Sequence, residues 1–182
     1  MRIIGIDPGT KNVGVAFYDS SIKAITITKK SSGKLGLIEL LISLTQEIQE
    51  FKPEFIIIED YAHSSNFNKE ESEFMGMFYY SLYKSGINCD ICLAPITAIK
   101  SYISKGTASK SIVTKRIAEL TGISKKELTS HSADATAILL LGIDYLSKKL
   151  SKDREKMLYN RTFNLYTNFF LKGDYYEEHF IC

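Results

Sequence analysis

The order of apolar segments predicts an α/β domain built on a mixed five-stranded sheet flanked by helices. Three observations carry this expectation. Three short segments rich in Val, Ile and Thr follow one another early in the chain with short connections. Two helical periodicities then alternate with two apolar, strand-like runs, and further helices follow.

Residues 2–7 read as an apolar strand that ends at Asp7 and enters the turn Pro8-Gly9-Thr10. Residues 12–18 and 22–28 complete an antiparallel meander. Over residues 35–51, Leu37, Leu40, Leu41, Leu44 and Ile48 have the three-four spacing of an amphipathic helix, which Pro53 stops. Phe55-Ile-Ile-Ile58 is apolar throughout, as a central parallel strand should be, and is expected to stop at Glu59-Asp60. Residues 68–85 are again helical, with Phe74, Met77, Phe78, Ser81 and Leu82 on one side and Gly86 as the stop. A fifth strand is expected at 88–94 and a short helical turn at 98–103. A helix at 109–120 is closed by Gly122, and Ser124-Lys-Lys-Glu127 has the form of a capping box for one more turn. The last helix is expected at 131–149, with Ser130 as its N-cap.

After residue 150 the composition changes. Eight of the 21 Phe and Tyr residues fall in the last 24 positions. The chain therefore divides into a patterned domain, 1–149, and an aromatic extension, 150–182, expected to add a helix that packs on the domain or on a second subunit.

Composition sets outer bounds. A chain of 182 residues, 45% hydrophobic and 24% charged, is an ordinary globular domain. A net charge of +2 points to no partner by itself. Three cysteines are an odd number, and the apolar run that begins at Ile3 meets Asp7 too soon for a signal-peptide core, so a reduced, intracellular setting is expected, cytoplasmic or DNA-associated. Cys89 and Cys92 have the spacing of half a zinc site, but without a second pair they read as ordinary strand residues. No apolar stretch is long enough to cross a bilayer, so no membrane partner is expected.

Asp7 and Glu59 each end an apolar strand, where packing gives a carboxylate little reason to be and where catalytic groups collect. On the residues alone, Asp7 also fits as an acceptor for backbone N–H groups of its turn, and Glu59 as the first exposed residue after a buried strand. His131 and Asp134 are three apart at the start of the last helix, so imidazole and carboxylate share a face. The alternative there is a surface histidine and an acid that serves the helix dipole. Taken together, the three segments offer oxygen ligands and one imidazole at a single sheet edge, a set that suits Mg²⁺ or Mn²⁺.

Positive charge is also concentrated. Between Lys100 and Lys126 lie Lys100, Lys105, Lys110, Lys115, Lys125, Lys126 and Arg116 against Glu119 alone, a local charge of +6. A basic block beside an acidic site has the form of a phosphodiester enzyme, although a solvated helix face gives the same pattern. Gly106-Thr-Ala-Ser-Lys110 adds a turn into a helix N-terminus where N–H groups meet a phosphate.

Ile4-Gly-Ile-Asp7-Pro-Gly9, Ile58-Glu59, Lys100 followed by Gly106-Thr-Ala108-Ser-Lys110, and His131-Ser-Ala-Asp134-Ala135 resemble, in order and approximate spacing, the RuvC family of Holliday junction resolvases. The resemblance covers roughly residues 1–149. It implies a ribonuclease H-like fold, a homodimer with two active sites, and metal-dependent paired incision of four-way DNA junctions that leaves 5′-phosphates. It further implies that Asp7, Glu59, His131 and Asp134 hold two Mg²⁺ or Mn²⁺ ions and that Lys100 and Lys110 act on the phosphate. Lys105, Lys115 and Arg116 join those two lysines as DNA contacts. Many members have Asp where this chain has His131. Ala62 stands where an aromatic wedge usually does, which leaves Tyr61 or Phe67 as substitutes. This divergence and the long tail fit a phage, viral or organellar branch, and a helicase partner is left undefined.

Two other readings compete. The Asp7-Pro-Gly-Thr-Lys-Asn-Val-Gly-Val-Ala opening also resembles YqgF-like nucleases that act on structured RNA, but Glu59 and Lys100 favour the resolvase. A junction-binding module without chemistry would have no need of four ligand-type residues. An actin-like ATPase needs two such domains, more than this chain can supply.

Overall fold

The computed structural model describes residues 1–60, 69–103, 109–147 and 165–166. Strands β1 (Ile3–Asp7), β2 (Asn12–Tyr18) and β3 (Ile22–Thr28) form the meander. Helix α1 (Gly33–Phe51) leads to β4 (Phe55–Asp60), α2 (Lys69–Lys84) to β5 (Asp90–Pro95), and α3 (Ile96–Ile103), α4 (Lys110–Thr121) and α5 (Ser130–Leu146) follow. The sheet order is β3-β2-β1-β4-β5, antiparallel across β1 to β3 and parallel across β1, β4 and β5. This is the mixed five-stranded sheet expected, flanked by helices.

A two-residue strand, β6 (Leu165–Tyr166), widens the sheet by pairing antiparallel with Ile91 and Cys92. The aromatic-rich composition of this tail leads to the expectation of a helix instead. The open edge of β5 offers unpaired N–H and C=O groups, and an extended backbone satisfies them. The remaining residues after Ser147, and thus the packing expected of the extension, lie outside the described residues.

The alternation of side chains divides the core into two layers. Ile4, Ile6, Val13, Val15, Ile56 and Ile58 meet α1 and α2 on one face, where Leu40, Leu44, Ile48, Phe74 and Phe78 are buried. Ile3, Ala16, Ile57, Cys92 and Ala94 meet α3, α4 and α5 on the other, with Ile99, Ile117, Ala133 and Ile138. Cys89 and Cys92 therefore face opposite layers, and burial pushes their thiols up to about 12 and about 11. They form no half of a zinc site.

Boundaries differ from expectation where tertiary contact decides them. β4 continues through Glu59 and Asp60 because β5 pairs with both. The segment after Gly122 makes the one turn expected, but it is closed by Glu127 N–H to the Ser124 carbonyl rather than by a side-chain capping box. The last helix ends at Leu146, three residues early.

Helix α5 lies almost on the backbone of the sheet. A Cβ built at Gly5 would stand 2.5 Å from the Ala135 carbonyl oxygen, and one at Gly14 would press still closer on that of His131. Since Asp7 pairs with Gly14 across β1 and β2, the same close approach that excludes a side chain at Gly14 brings His131 to Asp7. Gly14→Ala is expected to lower stability by about 1–3 kcal/mol through forced separation of α5 from the sheet, and to reduce nuclease activity with it. Urea unfolding against cleavage rate is the measurement, and an unperturbed variant would show that α5 has room to move.

Candidate active site

Side-chain parity selects the carboxylates. On β1, Ile4 and Ile6 point toward α1 and α2, so Asp7 shares the α5 face with Ile3 and Gly5. On β4, Ile56 and Ile58 point the same way as Ile4, so Glu59 joins Ile57 on the α5 face and Asp60 lies on the other. Glu59 is 9% exposed and Asp7 8%. The reading of Glu59 as the first exposed residue after the strand is thereby corrected: pairing with β5 keeps it inside the sheet.

Asp7 Oδ2 lies 2.9 Å from His131 Nδ1, a hydrogen bond across 124 positions of sequence. The turn-acceptor reading of Asp7 does not account for this contact. His131 sits at the second position of α5, whose N-terminus is fixed by a reciprocal cap. The Thr129 side chain accepts from Ser132 N–H at 3.1 Å, and Ser132 Oγ accepts from Thr129 N–H at 2.9 Å. The N-cap is thus Thr129, not Ser130, because only Thr129 has a partner three residues on that can return the hydrogen bond. With this boundary the first turn contains no acidic residue, so Asp134 falls in the second turn and the helix dipole gives it less support than expected. Thr129 Oγ1 also lies 2.5 Å from Thr26 Oγ1 of β3 and fastens the helix start to the sheet edge.

The charge of Asp134 bears on both strand carboxylates, and that of Asp7 on Glu59. Burial raises Asp7 to about 6, with Asp134 adding to the rise and the His131 hydrogen bond opposing it. Burial raises Glu59 to about 8, and the charges of Asp7 and Asp134 raise it further while Lys100 opposes them. Asp134 is also raised by burial, against Lys110, His131 and Lys100. Lys100 from α3 and Lys110 from the first turn of α4 therefore both bear on this site. Glu71 at the start of α2 is a third acid acting on Glu59. Nothing in the sequence marks it out beyond its place in a helix's first turn, where an acid is expected for the dipole.

Other expected residues lie elsewhere. Lys115 and Arg116 are on the outer face of α4, each within ion-pair distance of Glu119, at 3.9 and 3.4 Å. Tyr61, Phe67 and Lys105 lie outside the described residues. Tyr102 was not singled out by the sequence, yet its hydroxyl donates to Asp144 Oδ2 at 2.6 Å and ties α3, the carrier of Lys100, to α5.

Two buried carboxylates, Asp7 and Glu59, and the half-buried Asp134 whose charge raises both, form with the imidazole alongside a donor set with unmet negative charge when ionised. That chemistry fits hard divalent cations. Among the described residues no three acid, His or Cys side chains are arranged around a common ion position. Asp7 and His131 are turned toward each other, so ion binding requires the 2.9 Å contact to open or His131 to ligate through Nε2.

Comparison with known proteins gives a consistent result. The family model described as "Poxvirus A22 protein" matches residues 1–149. The crossover junction endodeoxyribonuclease RuvC of Carboxydothermus hydrogenoformans is 34% identical over 158 residues, covering 78% of this chain and 95% of that protein. The protein of the same name from Fusobacterium nucleatum is 29% identical over 172 residues, covering 87% and 88%. The fold is similar to that of Thermus thermophilus RuvC in complex with a Holliday junction substrate, with a TM-score of 0.66 at 18% identity over 82% of this chain and 96% of that one. A family match over residues 1–149 and a 34% identical relative across most of the chain lead to one conclusion: the chain belongs to the poxvirus A22 family of RuvC-like Holliday junction resolvases.

Proposed function

We propose that this protein is a metal-dependent endodeoxyribonuclease that resolves four-way DNA junctions by paired, symmetric incisions, leaving 5′-phosphate and 3′-hydroxyl ends. The observation that supports the reading is the contact of Asp7 on β1 with His131 on α5, together with the charges of Asp7 and Asp134 that bear on Glu59 of β4 and those of Lys100 and Lys110 that bear on these carboxylates. Asp7, Glu59, Asp134 and His131 would hold two Mg²⁺ or Mn²⁺ ions. Bound there, the ions supply an acidified water and electrostatic stabilisation of the leaving oxygen. The protein's own part is positional. β1 and β4 fix two carboxylates on rigid strands, the Thr129 cap fixes the two α5 ligands, and the lysines hold the scissile phosphate against an otherwise repulsive acidic site.

Incubation of the purified protein with a labelled mobile four-way junction and Mg²⁺ or Mn²⁺, with the cut strands mapped, tests this. Symmetric nicks on two opposed strands, sealable by ligase, are expected. Cleavage of structured RNA in preference to the junction would favour the YqgF-like alternative, and tight binding without cleavage would favour an inactive module.

Because His131 is a nitrogen donor in an otherwise oxygen set, Mn²⁺ should support cleavage at lower concentration than Mg²⁺, and His131→Asp should shift the preference toward Mg²⁺. A metal titration of both proteins checks this, and equal responses would remove His131 from the ligand set. A homodimer follows from the need to cut two strands with one site per chain. Exposed Leu35, Ile38 and Ile42 on α1 and Tyr80 and Tyr83 on α2 supply apolar surface that supports association. A monomer by light scattering under conditions of full cleavage would contradict the dimer.

A further inference from the structure

The sequence places the basic character of this protein between Lys100 and Lys126, but the fold assembles a second basic surface. Four lysines lie at the carboxylate end of the sheet on the β3 side, the flank opposite to that from which α3 brings Lys100. Asn12 pairs with Thr28 at this end, and Lys29 N–H donates to the Lys11 carbonyl at 3.0 Å, which places Lys11 and Lys29 side by side. Lys30 and Lys34 follow in the approach to α1 and in its first turn. Lys11, Lys30 and Lys34 are exposed, and the stem of Lys29 passes close to Gly36. Lys23, at the far end of β3, lies over the Phe17 ring and does not belong to the group.

Stability does not account for these charges. Between Asp19 and Glu39 the chain has no acidic residue, and among the described residues none of the four ammonium groups has a carboxylate at ion-pair distance. Glu39 accepts a hydrogen bond from Ser31 at 3.1 Å. Lys30 and Lys34 stand at the positive end of a 19-residue helix that has no acid in its first turn, an arrangement that is unfavourable in the absence of an anion. The patch is also close to the chemistry. Thr26 Oγ1 touches Thr129 Oγ1, two residues before His131, and β3 is two strands from β1, about 10 Å.

We propose that Lys11, Lys29, Lys30 and Lys34 form a second phosphate track, across the active site from Lys100, that holds the DNA backbone of another arm of the branched substrate. The proposal rests on the resolvase reading above. A branched substrate needs such a surface on both flanks of the cut site, whereas a linear duplex is held by one.

The test is the full-length triple variant Lys11→Gln/Lys30→Gln/Lys34→Gln, with Lys29 retained because its stem packs on α1. Binding to a labelled four-way junction and to a linear duplex of one arm's sequence is measured in EDTA across a range of salt. Junction affinity is expected to fall at least tenfold, and the slope of log affinity against log salt to fall by about two to three. Duplex affinity should change less than threefold. The triple Lys→Arg variant should bind as wild type, and thermal melting of the Gln variant should be no lower than wild type. An unchanged junction affinity and slope, or equal losses on junction and duplex, would overturn the track while leaving the resolvase reading intact. Wild-type protein that shows no preference for junction over duplex would instead overturn that reading, and the arm assignment with it.

Discussion

Asp7→Asn, Glu59→Gln and Asp134→Asn are each expected to slow junction cleavage by at least about a hundredfold while junction affinity in EDTA changes only a few-fold. Each substitution removes one charge from the donor set, and a loss of several kcal/mol of transition-state stabilisation amounts to a factor of this order or more. The lysines proposed to contact phosphate are untouched, so binding is expected to persist. In single-turnover cleavage beside gel-shift titration, any variant that cut at the wild-type rate would remove its carboxylate from the site. Lys100→Ala and Lys110→Ala should differ in kind. Each is expected to reduce cleavage and also to lower the salt slope of binding by about one, because it would remove a proposed phosphate contact as well as a site charge.

The second large effect is on stability. In the ion-free protein Asp7 is raised from 3.8 to about 6 and Glu59 from 4.5 to about 8, in both cases first by burial. A carboxyl group raised on folding binds its proton more tightly in the native state. Its contribution is therefore fully present below the unfolded value, near pH 4, and is lost as pH rises through the folded value. A tenfold difference in proton affinity between the folded and unfolded chain is worth about 1.4 kcal/mol, and the two groups are coupled rather than additive. In EDTA the protein is therefore expected to lose on the order of 3–5 kcal/mol between about pH 4 and pH 8. Asp7→Asn should flatten the lower part of this decline and melt higher than wild type at pH 8. Mg²⁺ or Mn²⁺ should recover stability at pH 8 by binding only the folded state. Denaturant unfolding from pH 4.5 to 8.5, with and without metal, makes the comparison. A flat profile in EDTA would show that Asp7 and Glu59 do not share a buried site.

The tail marks a limit of local pattern. Its aromatic-rich composition leads to the expectation of a helix, but Leu165 and Tyr166 pair with β5 as strand. The open edge of a distant strand has no representation in local sequence. Glu71 is similarly hidden, since an acid in the first turn of α2 has a sufficient local explanation and only the packed structure brings its charge to bear on Glu59.

By itself the sequence determined the alternation of strands and helices, because periods of two and of three to four residues in the apolar pattern are local properties of the chain. It also placed Asp7 and Glu59 at strand ends and His131 and Asp134 on one face of a helix, and the ordered motifs pointed to the family. The motif named Glu59, and the tertiary structure decided that it, and not Asp60, shares the α5 face with Asp7, through the parity that pairing with β1 and β5 imposes on β4. It also decided the meeting of His131 with Asp7, which requires α5 to press against Gly5 and Gly14. The lysines that flank β2, β3 and the start of α1 are separated by up to 23 positions in the chain and become one surface only when Asn12 pairs with Thr28. Charge and burial depend on distance in space, and local sequence carries no measure of that distance.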